Sequence, residues 1–148
     1  MNSFEIKILP KENIFDIIPL LNQLNENTPE DILKERLLEM VAQNYECAIM
    51  YDKLKIVGIC GIWYMTRHYV GKSMEVDHVV IDNSYRSKGL GRVFFDWIYK
   101  HALSKGCEAS ELNAYVNNPK SHKFYYNEGY NIYGFHFLKV LREDKKFY

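Results

Sequence analysis

The tightest constraint in this chain is the stretch "YRSKGLGR", residues 85–92, where a strand-like run, "MEVDHVVID", hands over to a helical one, "LGRVFFDWIYKHAL". A strand passing straight into a helix through glycines points to an α/β sheet. The junction has two readings. Its glycines serve a tight turn with solvated cations, or they let an anion reach backbone N–H groups at the positive end of a helix dipole. Arg86, Lys88 and Arg92 surround the same point with positive charge. A lone G-x-G does not choose between the two.

The flanking chain supplies the rest of the architecture. "SFEIKIL" alternates as a short strand, and "IFDIIPLLNQL" has apolar residues at helical spacing, with Asp16 as a candidate cap ahead of Pro19. "NTPEDILKERLLEMVAQN" predicts a second helix, with Thr28 as N-cap and Pro29 at the first helical position. "ECAIMY", "KIVGICGIWYM" and "SMEVDHVVID" read as three strands joined by short turns, an antiparallel meander. After the glycines, Leu90, Val93, Phe94, Trp97, Ile98, His101 and Ala102 fall on one helical face, which Lys105 and Gly106 close. "ASELNAYV" is a further strand, Asn118 and Pro119 open a short helix that Gly129 ends, and "YNIYGFHFLKVL" supplies one or two last strands. The expected order is β-α-α-β-β-β-α-β-α-β-β, an α/β fold with a mixed sheet in a single domain, residues 1–148.

Charge and motif content narrow the function. Nineteen cations balance nineteen carboxylates, which gives no electrostatic reason to expect nucleic acid or a membrane as partner. The first residues lack the basic start and apolar run of a signal peptide, and no apolar stretch is long enough to predict a membrane span. Cys47, Cys60 and Cys107 are scattered and odd in number, which fits buried fillers in a reducing cytoplasm. No histidine or cysteine spacing implies a metal. "GKS" at 71–73 imitates the end of a P-loop, but Thr66 holds the position of the required upstream glycine. "GLGRVF" lacks the third glycine of a dinucleotide fingerprint.

Two segments together resolve the opening ambiguity. "RSKGLG" after "MEVDHVVID" resembles the signature of the GNAT superfamily of acyl-CoA-dependent N-acyltransferases: Gln or Arg, two residues, Gly, one residue, then Gly or Ala, after a strand. About thirty residues on, "NPKSHKFYYNEGY" is similar to that family's second motif, here Asn118, Ser121, Phe124, Tyr125, Gly129 and Tyr130. Ser121 stands where alanine is more usual. The specific resemblance covers residues 75–130; the N-terminal half matches in its order of elements. It implies a GNAT-type, mainly antiparallel central sheet flanked by helices.

The resemblance also implies a site. Backbone N–H groups of Arg86, Ser87, Lys88, Gly89, Leu90 and Gly91, with Arg92 adjacent, would hold the pyrophosphate of acetyl-CoA. Val79, Val80 and Ile81 would offer the strand edge that pairs with the pantetheine arm, and Asn118 would touch the cofactor. Tyr125 matches the acid that protonates the leaving thiolate. Glu75 and Asp77 lie two apart on one strand and so on one face. Glu75 stands where protein-acetylating members carry a catalytic glutamate, with Asp77 as the other candidate carboxylate; members of the family also draw the proton away through water. The N–H near Val79 is the expected donor to the thioester oxygen.

The function implied is an N-acetyltransferase that moves the acetyl group of acetyl-CoA to a primary amine by direct attack in a ternary complex, without a metal. The amine belongs to a small molecule or a protein. A non-catalytic acyl-CoA-binding or protein-interaction module on the same fold is the alternative. Glu26, Glu30 and Asp31 would suit a cationic acceptor, but they equally suit an ordinary helix N-terminus. Exposed final strands, a common route to dimers in such folds, leave a homodimer open.

Overall fold

A computed structural model describes residues 4–147 of the chain. Strands β1 (Glu5–Ile8), β2 (Tyr45–Asp52), β3 (Lys55–Arg67), β4 (Gly71–Ile81) and β5 (Ala109–Leu112) lie side by side in sequence order. The first three pairings are antiparallel and β4 with β5 is parallel. Only the parallel pair needs a crossover. Helix α3 (Leu90–Ser104) supplies it, after a 3-10 turn at Asn83–Tyr85. By their contacts the residues form two compact units, Met1–Leu112 and Asn113–Tyr148.

Both faces of the sheet are covered. Helices α1 (Ile18–Leu24) and α2 (Glu30–Val41) join one core, in which Ile17, Leu21 and Leu37 pack with Tyr45, Cys47, Ile49, Ile59 and Val80. On α3 the buried stripe is Leu90, Phe94, Phe95, Ile98 and Ala102, while Val93, expected on the same face, is half exposed. A Cβ built on Gly58 would touch Ile81, Met50 and Phe94, which places α3 against the other face. Cys47, Cys60 and Cys107 are free thiols and buried. Among the described residues no helix is long and apolar enough to cross a membrane.

Three local expectations shift. Residues 11–17 form a 3-10 helix and α1 begins at Ile18, so Asp16 caps nothing; Pro19 falls in the first turn, where its missing N–H is not needed. The N-cap of α2 is Pro29 rather than Thr28, and Glu30 pairs with Lys34 at 2.7 Å, an ordinary helix-surface role for that acid. The largest change is at the C-terminal end: residues 130–141, expected to add one or two strands, form none among the described residues. Their alternation is real, but a strand exists only against a partner that takes its N–H and C=O groups. This segment belongs to no sheet, Gly134 falls in its middle, and Ile132, Tyr133, Phe135 and Phe137 stay exposed.

Candidate functional site

Strands β4 and β5 part company at the site. β4 pairs with β5 only from Ser73↔Ala109 to Val76↔Leu112, because β5 stops at Leu112 instead of running on to Val116. β4 continues to Ile81, so the edge of Asp77–Ile81 that faces away from β3 has no strand partner among the described residues. Val79, Val80 and Ile81 lie along this stretch; Asp82 N–H bonds to the Val57 carbonyl, so by the alternation of the ladder the backbone groups of Val79 and Ile81 face the open edge and those of Val80 face Ile59 on β3.

Asp82 then turns the chain. Its carboxylate accepts from the backbone N–H of Ser84 at 2.9 Å, from the Ser84 hydroxyl at 2.6 Å and from Lys55 Nζ at 3.0 Å. The two bonds from Ser84 come first in lowering its pKa to about 2. Ser87 (φ 61°) and Gly89 (φ 75°) both adopt the left-handed region, and Gly89 is the N-cap of α3. No side chain caps the helix, so N–H groups of its first turn lack an intrahelical acceptor. A Cβ on Gly89 would meet nothing within 4 Å; its glycine answers to φ rather than to crowding. Gly91 lies inside α3 and outside the left-handed region. The cations fold back onto the loop: Arg86 Nε donates to the Ile81 carbonyl at 3.1 Å, and Lys88 Nζ to the Ser84 carbonyl at 3.2 Å. Donors at an open helix end suit an anionic group.

Glu75 stands between two strands, opposite Trp63 on β3 and Glu111 on β5. Like charges in register repel, and Arg67 offsets this by reaching both, Nη2 to Glu75 at 3.4 Å and Nε to Glu111 at 3.2 Å. Glu111 also accepts from the Ser73 hydroxyl at 2.6 Å and the Tyr69 hydroxyl at 3.0 Å. Burial alone would raise Glu111, but hydrogen bonds from Ser73, Arg67 and Tyr69 outweigh it and hold the acid below its ordinary value. Asp77 is exposed and accepts from Trp63 Nε1 at 3.1 Å.

Between Asp77 and Val79 lies His78, whose Nε2 is 2.6 Å from the Tyr45 hydroxyl. Burial lowers the imidazole pKa, so the ring is neutral at pH 7, and burial likewise keeps the Tyr45 phenol protonated. The Cys47 thiol nearby is pushed up to about 12 by burial. His78 Nδ1 is the buried side-chain polar atom without a partner among the described residues. Such an atom costs on the order of 1–3 kcal/mol.

The second unit holds Asn118 and Tyr125. Asn118 is the N-cap of α4 (Pro119–Asn127), its side chain accepting from the Ser121 N–H at 3.3 Å. The helix ends with Gly129 at φ 96°, Gly129 N–H bonding to the Tyr126 carbonyl and Tyr130 N–H to that of Tyr125. This is a Schellman close, and the ring contact between Tyr125 and Tyr130 at 5.8 Å completes it. Tyr126, next to Tyr125 on the helix, is 56% exposed.

Sequence reading missed Arg67, Glu111, Gly61, Trp63 and the Tyr45–His78 pair. One signal was present: in "MEVDHVVI" the apolar alternation of Met74 and Val76 breaks before adjacent Val79 and Val80, as it does where a strand carries an extra residue. The ion cluster had none, since Glu111 on β5 joins Arg67 and Ser73 from strands far back in the sequence.

Known proteins of similar sequence and fold agree on a family. The aminoalkylphosphonate N-acetyltransferase of Salmonella typhimurium is 28% identical over 74 residues, which cover 50% of this chain and 48% of that enzyme, so the match spans about half the relative's length. An uncharacterised N-acetyltransferase of Bacillus subtilis is 22% identical over 91% of this chain and 96% of its own. An aminoglycoside acetyltransferase from an uncultured soil metagenomic sample superposes with a TM-score of 0.80 at 18% identity, covering 95% of this chain and 98% of that one. The ribosomal-protein-alanine N-acetyltransferase of Brucella melitensis gives 0.78 at 17% identity, covering 95% and 100%. These superpositions establish the shared fold. The model of the acetyltransferase (GNAT) family matches residues 13–130, and the chain belongs to that family.

Proposed function

We propose that this chain, acting as one domain, is an N-acetyltransferase that passes the acetyl group of acetyl-CoA to a primary amine by direct attack in a ternary complex. The observation that carries the reading is the continuity of two open backbone surfaces. The unpaired edge of β4 at 77–81 runs through the 3-10 turn at Asn83–Tyr85 and the loop 86–89 into the uncapped N-terminus of α3. A ligand with amides at one end and phosphates at the other matches donors and acceptors along both.

Acetyl-CoA supplies an activated thioester when bound. Backbone N–H groups of Arg86 to Gly91 hold its pyrophosphate, with Arg92 beside them. Along Val79, Val80 and Ile81 the outward backbone groups of Val79 and Ile81 take the pantetheine amides, and Asn118 contacts the cofactor while still capping α4. The Val79 N–H donates to the carbonyl oxygen as charge develops there. An amine of lysine-like pKa, about 10, arrives protonated and must lose that proton before attack. Glu75 accepts it; Asp77, tied to Trp63, is the second candidate. Tyr125 donates a proton to the departing sulfur.

The relatives are named for acceptors as different as aminoalkylphosphonates, aminoglycosides and a ribosomal protein's alanine. All present an amine, so the acceptor class proposed is a primary amine of a small molecule or a protein. Three buried free thiols fit a cytoplasmic setting. Thiol release from acetyl-CoA, followed over a panel of these amines, tests the reading. Turnover with one or more acceptors is the expected result. Binding of coenzyme A without release on any of them would assign a non-catalytic acyl-CoA-binding module instead.

A further inference from the structure

The β3–β4 ladder contains an irregularity beside the free edge. Cys60 pairs with Val79 and Ile62 with Val76, so Gly61 alone on β3 faces both Asp77 and His78 on β4. That is a bulge, and the extra residue bends the strand and re-aims the next residue along it. Here the next residue is Val79.

Both bulge residues are tied down. Asp77 accepts from Trp63 Nε1 at 3.1 Å, and His78 Nε2 meets the Tyr45 hydroxyl at 2.6 Å. Trp63 and Tyr45 are themselves register partners, with ring centroids 5.0 Å apart. Gly61 makes room for the arrangement. A Cβ there would lie 2.4 Å from His78 Nε2, 2.7 Å from Cδ2 and 2.9 Å from Cε1, so the imidazole rests directly on the glycine backbone. Gly61 has no positive φ to explain its glycine; the ring of His78 does. The ring also keeps Nδ1 buried without a partner. An apolar side chain would fill the same space without that cost, so stability does not account for a histidine here.

We propose that Gly61, His78 and Tyr45 form a lock that fixes the β4 bulge and so aims the Val79 N–H, making His78 a positioning residue for acyl transfer. The proposal rests on the acetyltransferase reading, in which that N–H serves the carbonyl oxygen. A donor to developing charge acts through its direction as well as its presence. Removing one outright typically costs about 10²- to 10³-fold in kcat, so a misdirected one should cost part of that.

The test uses Gly61→Ala, His78→Ala, their double variant and His78→Gln, each measured for kcat, acetyl-CoA affinity by calorimetry, Tm, and the amide ¹⁵N–¹H position of Val79. The acceptors are an aminoglycoside, a linear diamine and an aminoalkylphosphonate. Gly61→Ala, which drives the ring off the strand, should lower kcat by about 10- to 100-fold and move the Val79 amide signal. Acetyl-CoA affinity, set mainly by the loop at 86–91, should stay within about threefold. Removing the ring removes the three atoms nearest to an alanine Cβ at 61, so the double variant should be no worse than His78→Ala alone. His78→Gln, whose amide can still reach Tyr45, should recover most of the loss. Multiplying losses in the double variant, or losses of affinity and Tm that parallel kcat, would overturn the lock. An unmoved Val79 signal in Gly61→Ala overturns it whether or not the unaltered protein turns over. Absence of transfer by the unaltered protein, with that signal moved, overturns the functional reading instead.

Discussion

Arg67 Nε lies 3.2 Å from Glu111 Oε2 while its Nη2 reaches Glu75 at 3.4 Å, so one guanidinium serves two carboxylates that face each other across β4 and β5. With Ser73 and Tyr69 also donating, Glu111 keeps its charge to lower pH in the fold than in the unfolded chain. A depressed folded pKa gives stability that is present above the unfolded value, about 4.3, and is lost as pH falls through the folded one. Glu111→Gln should therefore lower Tm by about 2–4 °C at pH 7, the shift expected for ~1 kcal/mol in a chain of this size. The difference should shrink progressively below about pH 4. Thermal unfolding at several pH values checks this, and a gap independent of pH would remove the charge from the explanation.

Glu75 is predicted to take the proton of the acceptor. Glu75→Gln should reduce kcat most at neutral pH and recover in part as pH rises toward the amine's own pKa. Rate profiles from pH 6 to 10 with one acceptor would show it. A uniform loss at all pH values would mean that Glu75 holds the amine rather than deprotonating it. A loss in Asp77→Asn alone would move the role along the strand.

Gly91→Val tests the anion cradle. Because Gly91 is helical with no positive φ, valine should cost the fold less than about 1 kcal/mol. Its branched side chain would stand among the N–H groups at the head of α3. Coenzyme A affinity should fall by about 10- to 100-fold, the size of one charge-assisted hydrogen bond. Undiminished affinity in calorimetry would place the pyrophosphate elsewhere.

Tyr125→Phe removes a hydroxyl and keeps the ring that packs on Tyr130. Tm should barely change, and acetyl-CoA affinity should fall by less than about tenfold. kcat should drop by roughly 10²-fold, the lower end of general-acid assistance, since a thiolate can depart unaided. Tyr126→Phe, altering a solvent-exposed ring, should be silent. Full activity in Tyr125→Phe would leave leaving-group protonation to water.

The glycine junction, the meander and both caps around α4 were legible in the sequence because each is local: a turn residue, a period, a cap at fixed offset. What stayed hidden depends on partners distant in the chain. Glu111 gives no sign that Ser73 and Arg67 will meet it. The histidine at 78 reads as an ordinary strand residue until Gly61 is seen to lie beneath it. Residues 130–141 show the opposite failure, since their alternation is strand-like and no partner strand completes it among the described residues.

The short parallel pairing of β4 with β5 also bears on how the chain assembles. β2, β3 and β4 are joined through residues 53–54 and 68–70, so their hairpins close small loops. β5 must wait for the whole crossover through α3 and is only four residues long: it is held by four register pairs, by Glu108 N–H to the Lys72 carbonyl at 2.7 Å, and by the side chains of Glu108 and Glu111. Closing the larger loop for fewer contacts is the entropically later step. During refolding, pulse-labelled hydrogen exchange should find the amides of β3 protected before those of Ala109–Leu112. Simultaneous protection would mean that α3 docks and carries β5 into place in the same event that forms the meander.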